Sequence, residues 1–287
     1  RGHTFEDSCK GIRILKDNCF KIGGHLMPDL PFSSPEKDIK MFNEVFNKTK
    51  ICLDDVKIYP CQVVNYTVIK KRYNNGKYIP YSETNFEEFI KVIKYALLNV
   101  PRYTRVSRII RDFDFNKHVV GGNPHSNLKQ LAINQLEKDN KFCQDIRTRE
   151  IGRHPDYNYD YSCFIKVNKY TDEDYFIEMV SRDEKVLFGF IRLRIPENYN
   201  NTVFKNLKNK GFIRELHVYN TLVPVGESNN ITTQHKGIGR LLLKKAEHIS
   251  WTKGCEGVAV IHGIGVARYY EKNGYSLKEG FMVKTFK

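Results

Sequence analysis

Apolar positions along this chain recur first at helical spacing and then at strand spacing. Residues 5–17 carry apolar or small side chains at a period near 3.6, and 39–46 and 85–99 repeat the pattern, so each predicts an amphipathic helix. Between them, 19–28 reads as a strand ending in a loop, 56–60 as a strand that Pro60 stops, and 105–110 as an alternating strand. This alternation predicts βα units, hence a parallel sheet or part of a barrel whose functional loops follow the strands. After residue 118 the character changes. A Gly121-Gly122-Asn123-Pro124 turn, a helix over 127–138 and a polar stretch over 143–150 read as a connecting segment. From residue 161 strands dominate, at 162–167, 175–180, 186–193 and 211–219. The expected organisation is α/β, with domains at 1–118 and 151–287 joined by a linker at 119–150.

The segment Gln234-His235-Lys236-Gly237-Ile238-Gly239-Arg240, followed by Leu241-Leu242-Leu243-Lys244-Lys245-Ala246-Glu247, carries the clearest chemistry. Two glycines let the backbone approach a ligand, and the first-turn N–H groups of the following helix point at whatever sits in front of them. That arrangement suits a pyrophosphate, although a tight loop entering a surface helix would look the same. Downstream, 257–261 has a buried-strand pattern. Ala267-Arg268-Tyr269-Tyr270-Glu271-Lys272-Asn273-Gly274-Tyr275 then reads as a short helix closed by glycine.

Composition narrows the partners. The 287 residues include 47 Lys and Arg against 33 Asp and Glu, a net charge of +14. So broad an excess points to nucleic acid, against the competing reading of a Lys-rich solvated surface. Cys9, Cys19, Cys52, Cys61, Cys143, Cys163 and Cys255 are scattered without CxxC spacing, which reads as reduced thiols rather than disulfides or a metal site. There is no bilayer-length apolar run and no visible leader, so an intracellular, cytoplasmic protein without membrane attachment is expected. The opening Arg1-Gly2-His3-Thr4 reads as the interior of a longer protein.

Strand, glycine loop, helix, strand and a short Tyr-bearing helix, in that order, resemble the acetyl-CoA half of the GNAT acetyltransferases. The resemblance implies that Gln234, Gly237, Ile238, Gly239 and Arg240 bind the pyrophosphate. Leu216, His217 and Val218 would pair with the pantetheine arm along a splayed strand edge. Tyr270 would bind the sulfur or give a proton to the departing thiolate, the alternative being an aromatic packed on the sheet, with Tyr269 as its packed partner. Glu215 is a candidate general base, or equally a strand carboxylate paired with Arg214 or Lys284.

Further motifs narrow the family. Gly2-His3-Thr4, His25-Leu26-Met27-Pro28-Asp29-Leu30-Pro31, Lys57-Ile58-Tyr59-Pro60, Thr104-Arg105-Val106 with Arg111-Asp112, and Asp145-Ile146-Arg147-Thr148-Arg149-Glu150 resemble the family of the Elongator catalytic subunit. So do Arg214-Glu215-Leu216-His217-Val218-Tyr219, Val223-Pro224-Val225 and the glycine loop. The resemblance spans essentially the whole chain. It implies a radical-SAM (β/α) barrel joined to a GNAT domain, which together modify carbon 5 of the tRNA wobble uridine from acetyl-CoA. The three closely spaced cysteines that such a barrel needs for its iron–sulfur cluster do not occur here. The expectation is therefore a partial barrel, a linker and the GNAT domain, with SAM and the cluster belonging only to the full-length parent.

Expected partners are tRNA and other Elongator-type subunits, with no DNA. Cys143 stands alone beside Asp145 and Thr148, so no metal is expected. His25 and Asp29 follow a barrel strand, as active-site residues do, or they form a polar cap on Pro28 and Pro31. Arg102, Arg105, Arg108 and Arg111, interleaved with Tyr103 and Phe113, would track a tRNA backbone or form a solvated face. Two rival functions stay open: a protein lysine acetyltransferase and a non-catalytic RNA-binding module.

Overall fold

A computed structural model describes residues 2–47, 50–111, 118–155, 157, 163–219 and 237–286. In chain order the first elements are α1 (Phe5–Lys16), β1 (Gly23–Leu26), α2 (Pro35–Asn47), β2 (Asp55–Ile58), β3 (Val63–Val64), α3 (Val68–Asn74) and α4 (Tyr81–Thr84). Then come α5 (Phe86–Asn99), β4 (Arg105–Ile109), β5 (Val119–Gly121), α6 (Leu128–Lys138), α7 (Ile146–Arg149), β6 (Phe164–Lys169), β7 (Asp174–Val180) and β8 (Leu187–Arg194). The last are β9 (Lys210–Val218), α8 (Ile238–Thr252), β10 (Gly257–Ile261), α9 (Ala267–Glu271), β11 (Ser276–Lys278) and β12 (Phe281–Thr285). They form two compact units, residues 23–148 and residues 1–22 with 149–287.

In the 23–148 unit, β1, β2 and β4 make a parallel sheet in that order. α5 buries Phe89, Ile90, Val92, Ile93, Ala96 and Leu97, the i, i+3, i+4, i+7 stripe that covers a sheet, and Asn85 caps it by accepting from the Glu88 N–H at 3.1 Å. α2 and α6 pack against α5, and α6 also lies on β4. The strand expected from residue 19 contracts to Gly23–Leu26, because Cys19 sits at φ +71°, which no strand uses, and belongs to the other unit. The β3–β5 pair and the short helices α3 and α4 carry too few periodic positions to have been expected.

The second unit is a seven-stranded sheet in the order β11-β12-β10-β9-β8-β7-β6, antiparallel throughout the described strands except for the β9–β10 pair. Alternation along its strands sorts the core onto two faces. Ile213, Val258, Val260 and Met282 join Leu242, Leu243 and Ala246 of α8 on one face. Phe212, Ala259, Phe281 and Val283 join Cys19 and Leu207 on the other. β11 and β12 escaped the sequence reading; β11 is only three residues long and wholly exposed.

Charge is buried in this sheet as well. Arg149 and Glu178, both fully enclosed, pair at 2.7 Å, and Asn168 donates to the second carboxylate oxygen at 2.9 Å. Removing one member leaves an uncompensated buried charge. Glu178→Ala should therefore lower the unfolding free energy by about 3–5 kcal/mol in urea titration, and Arg149→Met combined with Glu178→Leu should recover much of that loss. A single-variant loss below about 1 kcal/mol, the range of an exposed pair, would contradict this account.

Candidate active site

β9 pairs in parallel with β10 only from Lys210 opposite Gly257 to Ile213 opposite Val260. It then continues through 214–218 against β8 alone, ending with Val218 opposite Gly189. A bulge sits at the point of parting. Across β8, Leu193 faces Ile213 but Arg192 faces Glu215, so Arg214 is the extra residue. Such an insertion bends its strand and sharpens its twist, and it falls where the pairing of β9 with β10 ends. The Arg214 guanidinium donates to the Phe20 carbonyl at 2.9 Å and lies 3.8 Å from Asp174, while the Cys19 thiol donates to the Ile213 carbonyl at 3.6 Å. Residues 17–22 thus hold the bulge. Their own anchor is Asp17, which meets Arg194 at 2.6 Å.

Leu216, His217 and Val218 lie on the diverging segment. Leu216 and Val218 pack against the main core, and the exposed His217 ring sits 4.4 Å from Tyr219 and stacks on Phe190 at 6.1 Å. Near them α8 begins. Its N-cap is Gly237 at φ +135°, a conformation open essentially to glycine alone, with no acidic residue in the first turn and, among the described residues, no side-chain cap and no atom within 4 Å of where a Cβ would stand. Ile238, Gly239 and Arg240 form the first turn behind it. Gln234, His235 and Lys236 lie outside the described residues, as do Val223, Pro224 and Val225.

The two tyrosines of α9 lie at different depths, and Tyr269, expected to be the packed partner, is the more exposed. Tyr270 is the packed one, 4% exposed in the main core, edge-on to Tyr269 at 5.3 Å and to Tyr275 at 5.7 Å. Tyr269 is 37% exposed, and its hydroxyl stands 2.5 Å from where a Gly239 Cβ would be. Neighbours on a helix point about 100° apart, so only one of a tyrosine pair can enter the core, and the sequence does not say which. Burial, with Tyr269 alongside, pushes the Tyr270 phenol up to about 12, which keeps its proton in place near neutral pH. Its hydroxyl has no hydrogen-bond partner among the described residues. His262, just past β10, is the residue the sequence reading missed. Its ring lies edge-on to Tyr270 at 6.3 Å, and its Nδ1 is buried without a hydrogen-bond partner among the described residues. The signal was a lone polar residue ending an apolar strand.

Glu215 takes neither of its expected partners. Arg192 donates to it at 2.8 Å and Lys21 at 2.9 Å, whereas Arg214 turns to Phe20 and Lys284 pairs with Glu247 at 2.8 Å. Burial opposes ionisation, but Arg192 and Lys21 outweigh it and hold the carboxyl below its usual range. A carboxylate so held is a weak base. Arg192 is itself fully buried against the neighbouring Phe176 and Phe190 rings, its guanidinium 5.4 and 5.1 Å from their centres.

Other candidates resolve into local structure. Asp29 accepts from the Tyr81 and Ser82 N–H groups at 2.8 and 3.1 Å at the start of α4, and burial pushes its carboxyl up to about 6. His25 meets the Tyr59 ring edge-on at 5.2 Å. Asp145 accepts from the N–H groups of Val106, Arg147 and Thr148 at 3.0, 3.1 and 3.2 Å, and the Cys143 thiol donates to it at 3.3 Å. Burial, with Asp145 beside it, raises that thiol to about 12. On β4, Arg105 faces Asp55 and Arg108 faces Lys57; Asp112 and Phe113 lie outside the described residues.

Residues 53–138 match the Radical_SAM C-terminal domain and 139–275 the Acetyltransferase (GNAT) family. Elongator complex protein 3 of Bos taurus is 35% identical over 99% of this chain and 52% of its own length, and the tRNA uridine(34) acetyltransferase of Methanocaldococcus jannaschii is 37% identical over 99% and 53%. The structure of archaeal Methanocaldococcus infernus Elp3 with an N-terminal deletion superposes with a TM-score of 0.88 at 34% identity, covering all of this chain and 68% of that one. The chain belongs to the Elongator complex protein 3 family. It spans about half the length of these full-length relatives. The α/β architecture read from the sequence, part of a radical-SAM barrel followed by a GNAT domain, stands.

The depressed Glu215 carboxyl adds stability that is present above about 4.5, its ordinary value, and lost as pH falls through the lower folded value. Glu215→Gln should therefore be less stable than the parent at pH 7, with the gap narrowing at pH 3.5 in paired urea titrations. A gap independent of pH would mean that the Arg192–Glu215–Lys21 charges contribute nothing.

Proposed function

We propose that this chain is the acetyl-CoA-binding and thioester-cleaving portion of an enzyme that builds a carboxymethyl-type group on carbon 5 of the tRNA wobble uridine. The observation that carries the reading is the parting of β9 and β10 beside an uncapped, glycine-opened helix. The relative named tRNA uridine(34) acetyltransferase supports the choice of substrate, and the +14 charge suits a polyanion and disfavours a basic protein tail. Within this reading residues 151–287, with 1–22 of the same compact unit rather than of the barrel portion first expected at 1–118, hold the thioester, 23–118 contribute barrel surface and 119–150 join them. Partners are tRNA and other Elongator-type subunits, without DNA, in the cytoplasm.

The residues present fit acetyl-CoA. Among the described residues nothing stands within 4 Å of where a Gly237 Cβ would be, a Cβ at Gly239 would collide with Tyr269, and His262 Nδ1 is a buried acceptor or donor without a hydrogen-bond partner. The backbone N–H groups of Ile238, Gly239 and Arg240 would bind the pyrophosphate, joined by the Arg240 charge and by Gln234 of the same loop. Leu216, His217 and Val218 would offer backbone groups to the pantetheine, as a strand edge does. When bound, the coenzyme supplies an activated acetyl thioester. Tyr270, kept protonated by burial, holds a proton at Oη for the leaving sulfur. Glu215 contributes as a fixed negative charge that orients Arg192 and Lys21. The cysteines do not fit an iron–sulfur cluster: Cys19, Cys52, Cys61, Cys143 and Cys255 are buried at separate points, and the described residues contain no metal-holding cluster of His, Cys, Asp and Glu. No step is routed through a cluster or SAM.

Gly239→Asp should abolish acetyl-CoA binding in calorimetry, since it adds bulk against Tyr269 and a negative charge where phosphates approach. Tyr270→Phe should keep the binding constant within a few fold and lower tRNA-dependent thiol release by roughly 10²–10⁴-fold, with Tyr269→Phe affecting binding instead. Parent-rate cleavage by Tyr270→Phe would remove the acid role. Affinity for tRNA should fall steeply between 50 and 200 mM salt, roughly as counterion release requires. A salt-insensitive constant would remove nucleic acid from the reading.

A further inference from the structure

In the 23–148 unit, an open hollow of about 560 Å³ is lined by Phe32, Val68, Lys71, Arg72, Asn75 and Lys77. Phe32 is 80% exposed, an unusual state for a ring that gains nothing from water. Its backbone takes φ +70°, costly for a bulky side chain, and is pinned there by Lys37, whose ammonium donates to the Phe32 carbonyl at 2.8 Å, and by the Ser33 N–H bonded to the Leu30 carbonyl at 2.9 Å. The loop therefore presents the ring outward rather than tucking it in.

The opposite wall is built with the same rigidity. α3 ends in a Schellman turn, with Gly76 at φ +66°, Lys77 N–H bonded to the Arg72 carbonyl at 2.8 Å and Gly76 N–H to the Tyr73 carbonyl at 3.0 Å. This closes Lys71, Arg72 and Lys77 around one space. The Arg72 guanidinium lies 5.6 Å from the Phe32 ring centre. None of the three cations forms a salt bridge among the described residues. The neighbouring acids are engaged elsewhere: Asp38 accepts from Ser33, Tyr81 and the Asp29 N–H, and Glu83 accepts from Tyr73 and the Gly122 N–H.

An exposed aromatic face, a guanidinium beside it and uncompensated ammonium groups at the rim form the combination that holds an unpaired base and its phosphates. Duplex backbone would be served by the cations alone and leaves the ring unexplained. The hollow falls in the roughly 300–1,000 Å³ range of small-ligand sites, room for one nucleotide. We propose that this hollow is a single-stranded RNA site, in which a base stacks on Phe32 beside Arg72 while Lys71 and Lys77 bind the adjoining phosphates. The assignment rests on the tRNA reading above and adds to it the kind of nucleotide engaged, one splayed out of a helix.

The test uses the whole chain and a fluorescein-labelled RNA octamer without internal pairing, measured by anisotropy beside a fully paired RNA duplex. Phe32→Ala, at an exposed ring, should weaken octamer binding about tenfold, as loss of one stacked base does, and leave duplex binding unchanged. Phe32→Trp should restore it. Lys71→Ala with Lys77→Ala should reduce the slope of log affinity against log salt by about 1.4, near 0.7 for each phosphate contact on a single strand. Unchanged octamer binding by Phe32→Ala would overturn the site, and so would Phe32-dependent displacement of the octamer by poly-glutamate, which would mark an acidic protein partner instead. Tests of the site and of the tRNA reading fail separately. If Phe32→Ala binds the octamer like the parent while tRNA still drives thiol release, the site falls and the tRNA reading stands. If the octamer binds through Phe32 while tRNA neither binds nor drives thiol release, the site stands and that reading falls.

Discussion

One extra residue in one strand governs the acetyltransferase half. Arg214 has no counterpart across β8, and at that position β9 stops pairing with β10. A regular ladder would have carried the two strands side by side to their ends, with each backbone group committed to its neighbour. Beyond the bulge, residues 214–218 pair with β8 and not with β10, so this segment of strand keeps a second edge that β10 does not cover. The start of α8 and the buried end of β10 border the same strands, so a glycine N-cap, two tyrosines and His262 share one neighbourhood.

A bulge persists only if something holds it, and here the holder comes from far away in sequence. Residues 17–22 carry Asp17 into contact with Arg194, Cys19 to the Ile213 carbonyl and Phe20 to the Arg214 guanidinium. Lys16 and Arg214 also approach Asp174, at 3.5 and 3.8 Å; burial opposes the ionisation of Asp174, but Lys16, Arg194 and Arg214 outweigh it and keep its carboxyl below the usual range. Buried ions of this kind add little net stability, because desolvation consumes most of the attraction, but a broken partner is costly. Their effect is to select one arrangement of the strand. This explains why a helix at the start of the chain clusters with a sheet that begins more than a hundred residues later.

The sequence conveyed whatever depends on local period. The helices over 39–46, 85–99 and 127–138 and the strands over 175–180, 186–193 and 211–219 correspond to α2, α5, α6, β7, β8 and β9 within a few residues. The glycine loop was legible because Gly237 needs a φ that other residues avoid, a property written in the residue type itself. Tertiary partners were not legible. Glu215 was paired on paper with its neighbour Arg214 or with Lys284; the actual partners are Arg192, opposite it on β8, and Lys21 from the start of the chain, a tertiary pairing that no local pattern announces. The depths of Tyr269 and Tyr270 were not legible for a similar reason: the depth of each ring depends on how α9 is rolled against the sheet. Asp29, read either as a residue placed for chemistry after a barrel strand or as a polar cap, binds the Tyr81 and Ser82 N–H groups, donors that no local pattern identified.

The central claim is that the diverging segment of β9 receives the ligand's extended arm along its backbone. Hydrogen–deuterium exchange on the whole chain, with and without a non-hydrolysable acetyl-CoA analogue, reads this directly. The account predicts that amides of residues 216–218 gain protection on binding, while those of 210–213, already paired with β10, hardly change. Tight analogue binding with exchange at 216–218 unaltered would contradict it.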